Sequence, residues 1–213
     1  MTLAVTPTTE LQAINVMLAA IGTRPVNSLG EFGLTDANIA LETLTNTNRE
    51  VQSRGWWFNR AYVVQLNPDV DGYITLPLNT LRVAASKPTA AFAGETRLVV
   101  VRGTKLFNIG ANTFIFSTPV NVELTSLLDF TDLPEVARRY IAVRAARVFQ
   151  AYSLGDADAG SFNDAYERES WQIMEDEQAT STPSSMFATR MRSRIAALNP
   201  DPAAAPSDNR RTQ

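Results

Sequence analysis

Residues 48–59 read Asn48-Arg49-Glu50-Val51-Gln52-Ser53-Arg54-Gly55-Trp56-Trp57-Phe58-Asn59, and the periodicity of the chain changes within them. Upstream, Ala37, Ala40, Leu41, Leu44, Thr47 and Val51 recur at helical spacing, which predicts a helix from about Asp36 to Arg54 capped by Thr35 or Asp36. Gly55 stops that helix. Downstream the pattern is one of short strands. Trp56, Trp57 and Phe58 form the densest aromatic cluster of the chain, at the point of change, and are expected to anchor a seam between two structural units. A base- or glycan-stacking platform is the alternative, but only Arg54 and Arg60 flank the rings.

Toward the N-terminus, Leu11, Ile14, Met17, Leu18 and Ile21 predict a helix over about Glu10–Ile21, capped by Thr8 or Thr9 and closed by Gly22 and Pro25. A linker with Gly30 and Gly33 joins the two helices.

Toward the C-terminus, Ala61–Leu66, Tyr73–Leu76, Leu81–Ala85, Leu98–Arg102, Lys105–Ile109, Thr113–Ser117 and Val120–Leu124 read as strands. Val120, Val122 and Leu124 alternate with Asn121 and Glu123, as in a sheet with one wet face. Gly103-Thr104 suits a two-residue hairpin turn and Gly110-Ala111-Asn112 a three-residue one. Asp71-Gly72 and Pro119 mark further turns. Asp69-Val70-Asp71-Gly72 has the start of a calcium loop but lacks its later oxygen ligands and closing acid, so it too reads as a turn.

Two more helices follow, over about Leu133–Ser153, with Asp132 as cap, and Asp158–Ala179. The first carries Arg138, Arg139, Arg144 and Arg147 against the lone acid Glu135. The second carries Asp158, Asp164, Glu167, Glu169, Glu175, Asp176 and Glu177 against Arg168. This predicts an antiparallel hairpin in which Arg138, Arg139, Arg144 and Arg147 face acids such as Glu167 and Glu169. Contact of those arginines with DNA is the alternative. Exposed ion pairs contribute at most about 1 kcal/mol each, so the charges select the partner helix more than they hold it. From Ser181 the chain becomes Pro-, Ser- and Ala-rich, with Arg190, Arg192, Arg194, Arg210 and Arg211 facing only Asp201 and Asp208. A short helix over Ser185–Leu198 is the one element it suggests, and it cannot build a core alone.

The fold class expected is therefore α+β. An antiparallel helical bundle (1–60 with 129–181) carries an inserted antiparallel β domain (61–128), and a flexible C-terminal arm (182–213) extends from it.

Composition excludes much chemistry. The 213 residues include no cysteine and no histidine. Disulfides, thiol nucleophiles, thiolate metal sites and any Ser-His or Cys-His couple are absent with them. No catalytic residue, metal site or cofactor is expected, and no P-loop or dinucleotide fingerprint occurs. The acids could serve as a glycosidase pair, which makes a glycan hydrolase the enzymatic alternative. A generic helical interaction module is another. No stretch has the roughly 18 to 20 apolar residues of a membrane span. The first basic residue, Arg24, comes too late for a secretory leader. A net charge of −3 offers no footprint for gripping nucleic acid.

Three blocks resemble one known family. They are the stretch Asn48–Asn59, the opening Leu11–Val26 with Ile21-Gly22 and Pro25-Val26, and Leu133-Pro134-Glu135 followed by Arg138-Arg139-Tyr140-Ile141 and Arg144-Ala145-Ala146-Arg147. In this order and spacing they are similar to the tail tubular protein A family of short-tailed bacteriophages, over roughly Leu11–Glu177. The resemblance implies a virion tail protein assembled in the host cytoplasm: a twelve-copy head-to-tail adaptor ring. Its implied partners are other copies of itself, the portal protein, the nozzle (tail tubular protein B), tail fibres, and DNA that passes without specific binding. It also implies that the C-terminal segment embraces the portal, and Met186, Phe187, Arg190, Arg192 and Arg194 are the contacts expected there.

Overall fold

The computed structural model describes residues 7–28, 35–85, 98–154 and 161–181. The described residues form four α-helices and two small antiparallel sheets, a mixed α+β fold.

α1 (Glu10–Ala20) opens with a reciprocal capping box: the Thr9 hydroxyl accepts from the Gln12 amide and the Gln12 side chain accepts from the Thr9 amide. Thr8 does something else. Its amide and hydroxyl both donate to the Glu135 carboxylate, at 2.8 and 2.5 Å, and so tie the start of α1 to the start of α3 (Glu135–Leu154). α2 spans Thr35–Ser53 and α4 spans Ser161–Ser181. α1, α2 and α4 all pack on α3. Small side chains make that possible: Ala137, Ala142, Ala145 and Ala146 are buried along α3, with Ile141 and Phe149 between them. Ile14, Met17, Leu18, Leu44 and Met174 complete this core.

Helix α3 starts later than expected from the sequence. Asp132 does not cap it. Phe130–Asp132 is a 3₁₀ turn, Leu133 is extended at φ −77° and ψ 152°, and the Pro134 carbonyl accepts the first helical hydrogen bonds, from Ala137 and Arg138. A residue that precedes proline is sterically barred from helical angles, which keeps Leu133 out of the helix.

Strand β5 (Val120–Ser126) lies between β1 (Arg60–Leu66) and β2 (Thr80–Ala85), antiparallel to both. β3 (Val99–Arg102) and β4 (Lys105–Asn108) form a hairpin closed by Gly103, at φ +62°, and Thr104. A second core, with Ile74, Leu76, Val83, Leu106, Phe116 and Val122, lies among the strands. Tyr73–Leu76 and Thr113–Ser117 are not strands; each contributes an isolated bridge, Thr75 to Lys105 and Thr113 to Asn108. Around them the Asp69 carboxylate takes the Asp71 and Tyr73 amides and forms the turn at 69–72, while single bonds reach other segments: Leu76 donates to the Thr104 carbonyl, Ile74 accepts from the Leu106 amide and Phe116 donates to the Gly72 carbonyl. The loop before Thr113 contains four residues, with Asn112 in the left-handed region at φ +50°.

Candidate interaction site on helices α2, α3 and α4

The charged side chains of α3 and α4 meet around Glu167. Its carboxylate accepts from Arg144, at 2.8 Å, and from Arg147. Arg144 also donates to Glu50 of α2 at 2.7 Å, and Arg147 lies 3.6 Å from Asp164. The Glu167 side chain is only 13% exposed, so these pairs are partly shielded from water and salt. Burial alone would lower the Arg144 guanidinium, but its hydrogen bonds to Glu50 and Glu167 outweigh that and raise it. Beside it, burial pushes the Tyr140 hydroxyl above its ordinary value; the Arg144 charge opposes the shift and Glu167 adds to it.

The other residues expected in this pairing take different partners. Arg138 donates to the carbonyls of Leu133, Thr8 and Thr131. Arg139 donates to the Tyr166 hydroxyl at 2.9 Å. Glu169 is exposed and enters no ion pair among the described residues.

A cleft of about 340 Å³ opens next to this network, lined by Glu50, Val51, Arg54, Trp56, Tyr140, Arg144 and Trp171. Trp56 and Trp171 meet edge to face at 5.3 Å, and the Arg54 guanidinium lies over both rings. Arg54 also pairs with Glu175 at 3.3 Å. The buried indole of Trp56 donates to the Val51 carbonyl, while the Trp57 amide donates to Gln178 of α4. Trp56, Trp57 and Phe58 thus pack with the helical core. Trp171, Tyr140 and Glu50 complete the cluster, and no motif marks them as neighbours of Trp56 and Arg144.

The junction with the strands is held by amides. Gln52, fully buried, donates to the Leu128 carbonyl at 2.8 Å and accepts from the Leu128 amide at 2.9 Å, so one side chain mimics a strand partner. Asn59 accepts from the Trp56 amide and donates to the Gln52 and Ser126 carbonyls. Both chain crossings between helices and strands, near 59 and 126–128, are therefore held by one pair of amides. Gly55 belongs to the same closure: at φ +79° it ends α2, and a Cβ there would come within 3.1 Å of the Thr125 hydroxyl.

Among the described residues no group of three or more His, Cys, Asp or Glu could hold a metal ion, and no helix is long and apolar enough to cross a membrane. Met186, Phe187, Arg190, Arg192 and Arg194 lie outside the described residues, as does the expected helix Ser185–Leu198.

The family model described as tail tubular protein matches residues 11–183. The chain is 30% identical over 187 residues to Tail tubular protein A of Klebsiella phage KP34, an alignment that covers 86% of this chain and 96% of that protein. From Leu11 on, the helices, the strand unit and the charged and aromatic site fall within the matched span, and the chain belongs to the tail tubular protein family.

Proposed function

We propose that this chain is a ring-forming head-to-tail adaptor that couples the portal to the tail nozzle, surrounds the DNA exit path and contributes to tail-fibre attachment. As a member of the tail tubular protein family it is a structural component of the virion tail and not an enzyme. The observation that carries the finer reading is the continuous similarity to Tail tubular protein A over 96% of that protein's length. The division of the core fits it. One apolar cluster lies among the helices and another among the strands, as suits a helical bundle (1–60 with 129–181) and an inserted β domain (61–128). In this reading residues 182–213 form the arm that reaches the portal, with Met186, Phe187, Arg190, Arg192 and Arg194 as contacts, and twelve copies close the ring. The net charge of −3 suits a channel that lets DNA pass, since basic walls would bind phosphate.

Electron microscopy of the purified protein, alone and mixed with portal protein, tests the reading: closed rings on the portal are expected, and a protein that never assembles there overturns it. Deleting residues after Ala179 is expected to abolish portal binding and leave the melting transition in place. Normal docking of the shortened chain would remove the arm from the proposal.

A further inference from the structure

The charge of this chain is sorted by region. Residues 1–60 and 129–181 hold sixteen acidic and nine basic residues, a net of −7. Residues 61–128 hold four acidic and five basic, a net of +1, and residues 182–213 hold two and five, a net of +3. Together these give the −3 of the whole chain. A helical part this acidic repels other copies of itself and attracts whatever positive surface a copy presents.

Two described surfaces fit each other. On α4 Glu169, Ile173 and Asp176 recur at helical spacing on the side turned away from Glu167, Trp171 and Met174, and Glu177 and Tyr166, whose hydroxyl accepts from Arg139 of α3, flank them. Tyr166 and Ile173 are 42% and 40% exposed, and Glu169, Asp176 and Glu177 enter no ion pair among the described residues. The second surface is the tip of the β3–β4 hairpin. Arg102 and Lys105 are register partners beside the turn, so both project on one side. Like charges placed opposite each other on a ladder repel. Here aromatic rings offset that cost: Arg102 lies over Phe107 at 3.6 Å and Lys105 over Tyr73 at 3.5 Å. Neither has a carboxylate partner among the described residues. Within one chain the surfaces belong to different neighbourhoods, α4 against α3 and the hairpin against β2.

We propose that the Arg102–Lys105 hairpin of one copy seats on the outward face of α4 of a second copy. Arg102 and Lys105 meet Glu169, Asp176 and Glu177, and the tip covers Ile173. The contact joins two different patches, and such a contact repeats around a closed ring when its rotation permits. The proposal rests on the ring reading above and names the surfaces that build it.

Charge reversal tests it. Full-length R102E/K105E and full-length E169K/D176K/E177K are each mixed with portal protein and rings are counted by electron microscopy, with the melting midpoint as a control for folding. Each variant alone is expected to lose at least ten-fold in ring yield. Mixing the two is expected to restore rings, because each reversed patch then finds its opposite on the alternate copy. Should a reversed variant fail to fold, R102Q/K105Q keeps the side-chain stems and is expected to lose several-fold in yield. Wild-type yield from folded variants overturns the contact and leaves the adaptor reading standing. Loss in both without rescue on mixing also overturns it. Wild-type protein that never closes a ring overturns the adaptor reading, and this contact with it.

Discussion

Glu167 is the acid on which two arginines of α3 converge, and its surroundings set what its loss costs. Removing one partner of a well-buried pair costs about 3–5 kcal/mol, because the other charge is left dry and alone. Arg144 would keep Glu50 and Arg147 would keep Asp164, and both arginines are partly hydrated. Glu167→Ala is therefore expected to cost only about 2 kcal/mol, the scale of hydrogen bonds to charged groups. In a chain of this size that lowers the melting midpoint by about 4–8 °C, measurable by calorimetry. Tyr140, next to Arg144, gives a pH signature. Burial raises its hydroxyl above the ordinary value of 10.0, so the folded protein keeps that proton to higher pH than the unfolded chain does. Stability contributed this way is intact below about pH 10 and falls as pH rises from there through the raised value. Tyr140→Phe should flatten that fall in melting curves taken between pH 8 and 11. An unchanged alkaline slope would assign the loss to other groups.

Among elements, the helices were legible because each buries one stripe. Leu11, Ile14, Met17 and Leu18 on α1, and Ala37, Ala40, Leu41, Leu44 and Val51 on α2, repeat at the helical period and do pack inward. The start of α3 was misplaced because the apolar pattern runs back to Leu133, while the backbone rule at Pro134 forbids it. Tyr73–Leu76 and Thr113–Ser117 carry strand-like residues, yet their hydrogen bonds are divided between turns at Asp69 and Asn108 and scattered single contacts with Thr104, Leu106 and Gly72, too few in register for a ladder, a choice composition does not record. The amides at the junction were illegible for a different reason. Gln52 and Asn59 look like ordinary surface residues, and their partners Leu128 and Ser126 are 76 and 67 positions away. The same holds for Glu50 and Trp171, which come to Arg144 and Trp56 only through tertiary packing. Gln52→Leu would fill the space but leave the Leu128 amide without its acceptor and the Leu128 carbonyl with only the long contact from Asn48, at 3.5 Å. The expected cost is about 1–3 kcal/mol, from a partly buried backbone amide left without a partner and a carbonyl that keeps only a weak one. Asn59→Ala should cost a comparable amount. Since Gln52 and Asn59 share one network, the double variant should lose less than the sum by about 0.5–3 kcal/mol. Denaturant titration of the four proteins checks this, and strict additivity would show that the amides act separately.

At the scale of the whole molecule, stability and assembly draw on different forces. The fold rests on two apolar cores, and most of its ion pairs are partly exposed, where each is worth at most about 1 kcal/mol. The proposed contact between copies is led by charge: a helical part of net −7 meets a hairpin whose two cations have no carboxylate partner among the described residues. Salt separates the two. The screening length falls from about 10 Å at 0.1 M to about 3 Å at 1 M, which weakens contacts between exposed charges and leaves apolar burial intact or strengthened. Ring yield on the portal should therefore drop steeply between 0.1 and 1 M NaCl, while the melting midpoint of the isolated chain moves by only a few degrees. Mass photometry and calorimetry on the same samples read both quantities. Assembly that is indifferent to salt would place apolar burial, around side chains such as Tyr152 at 79% exposed and Val148 at 40%, at the contact instead.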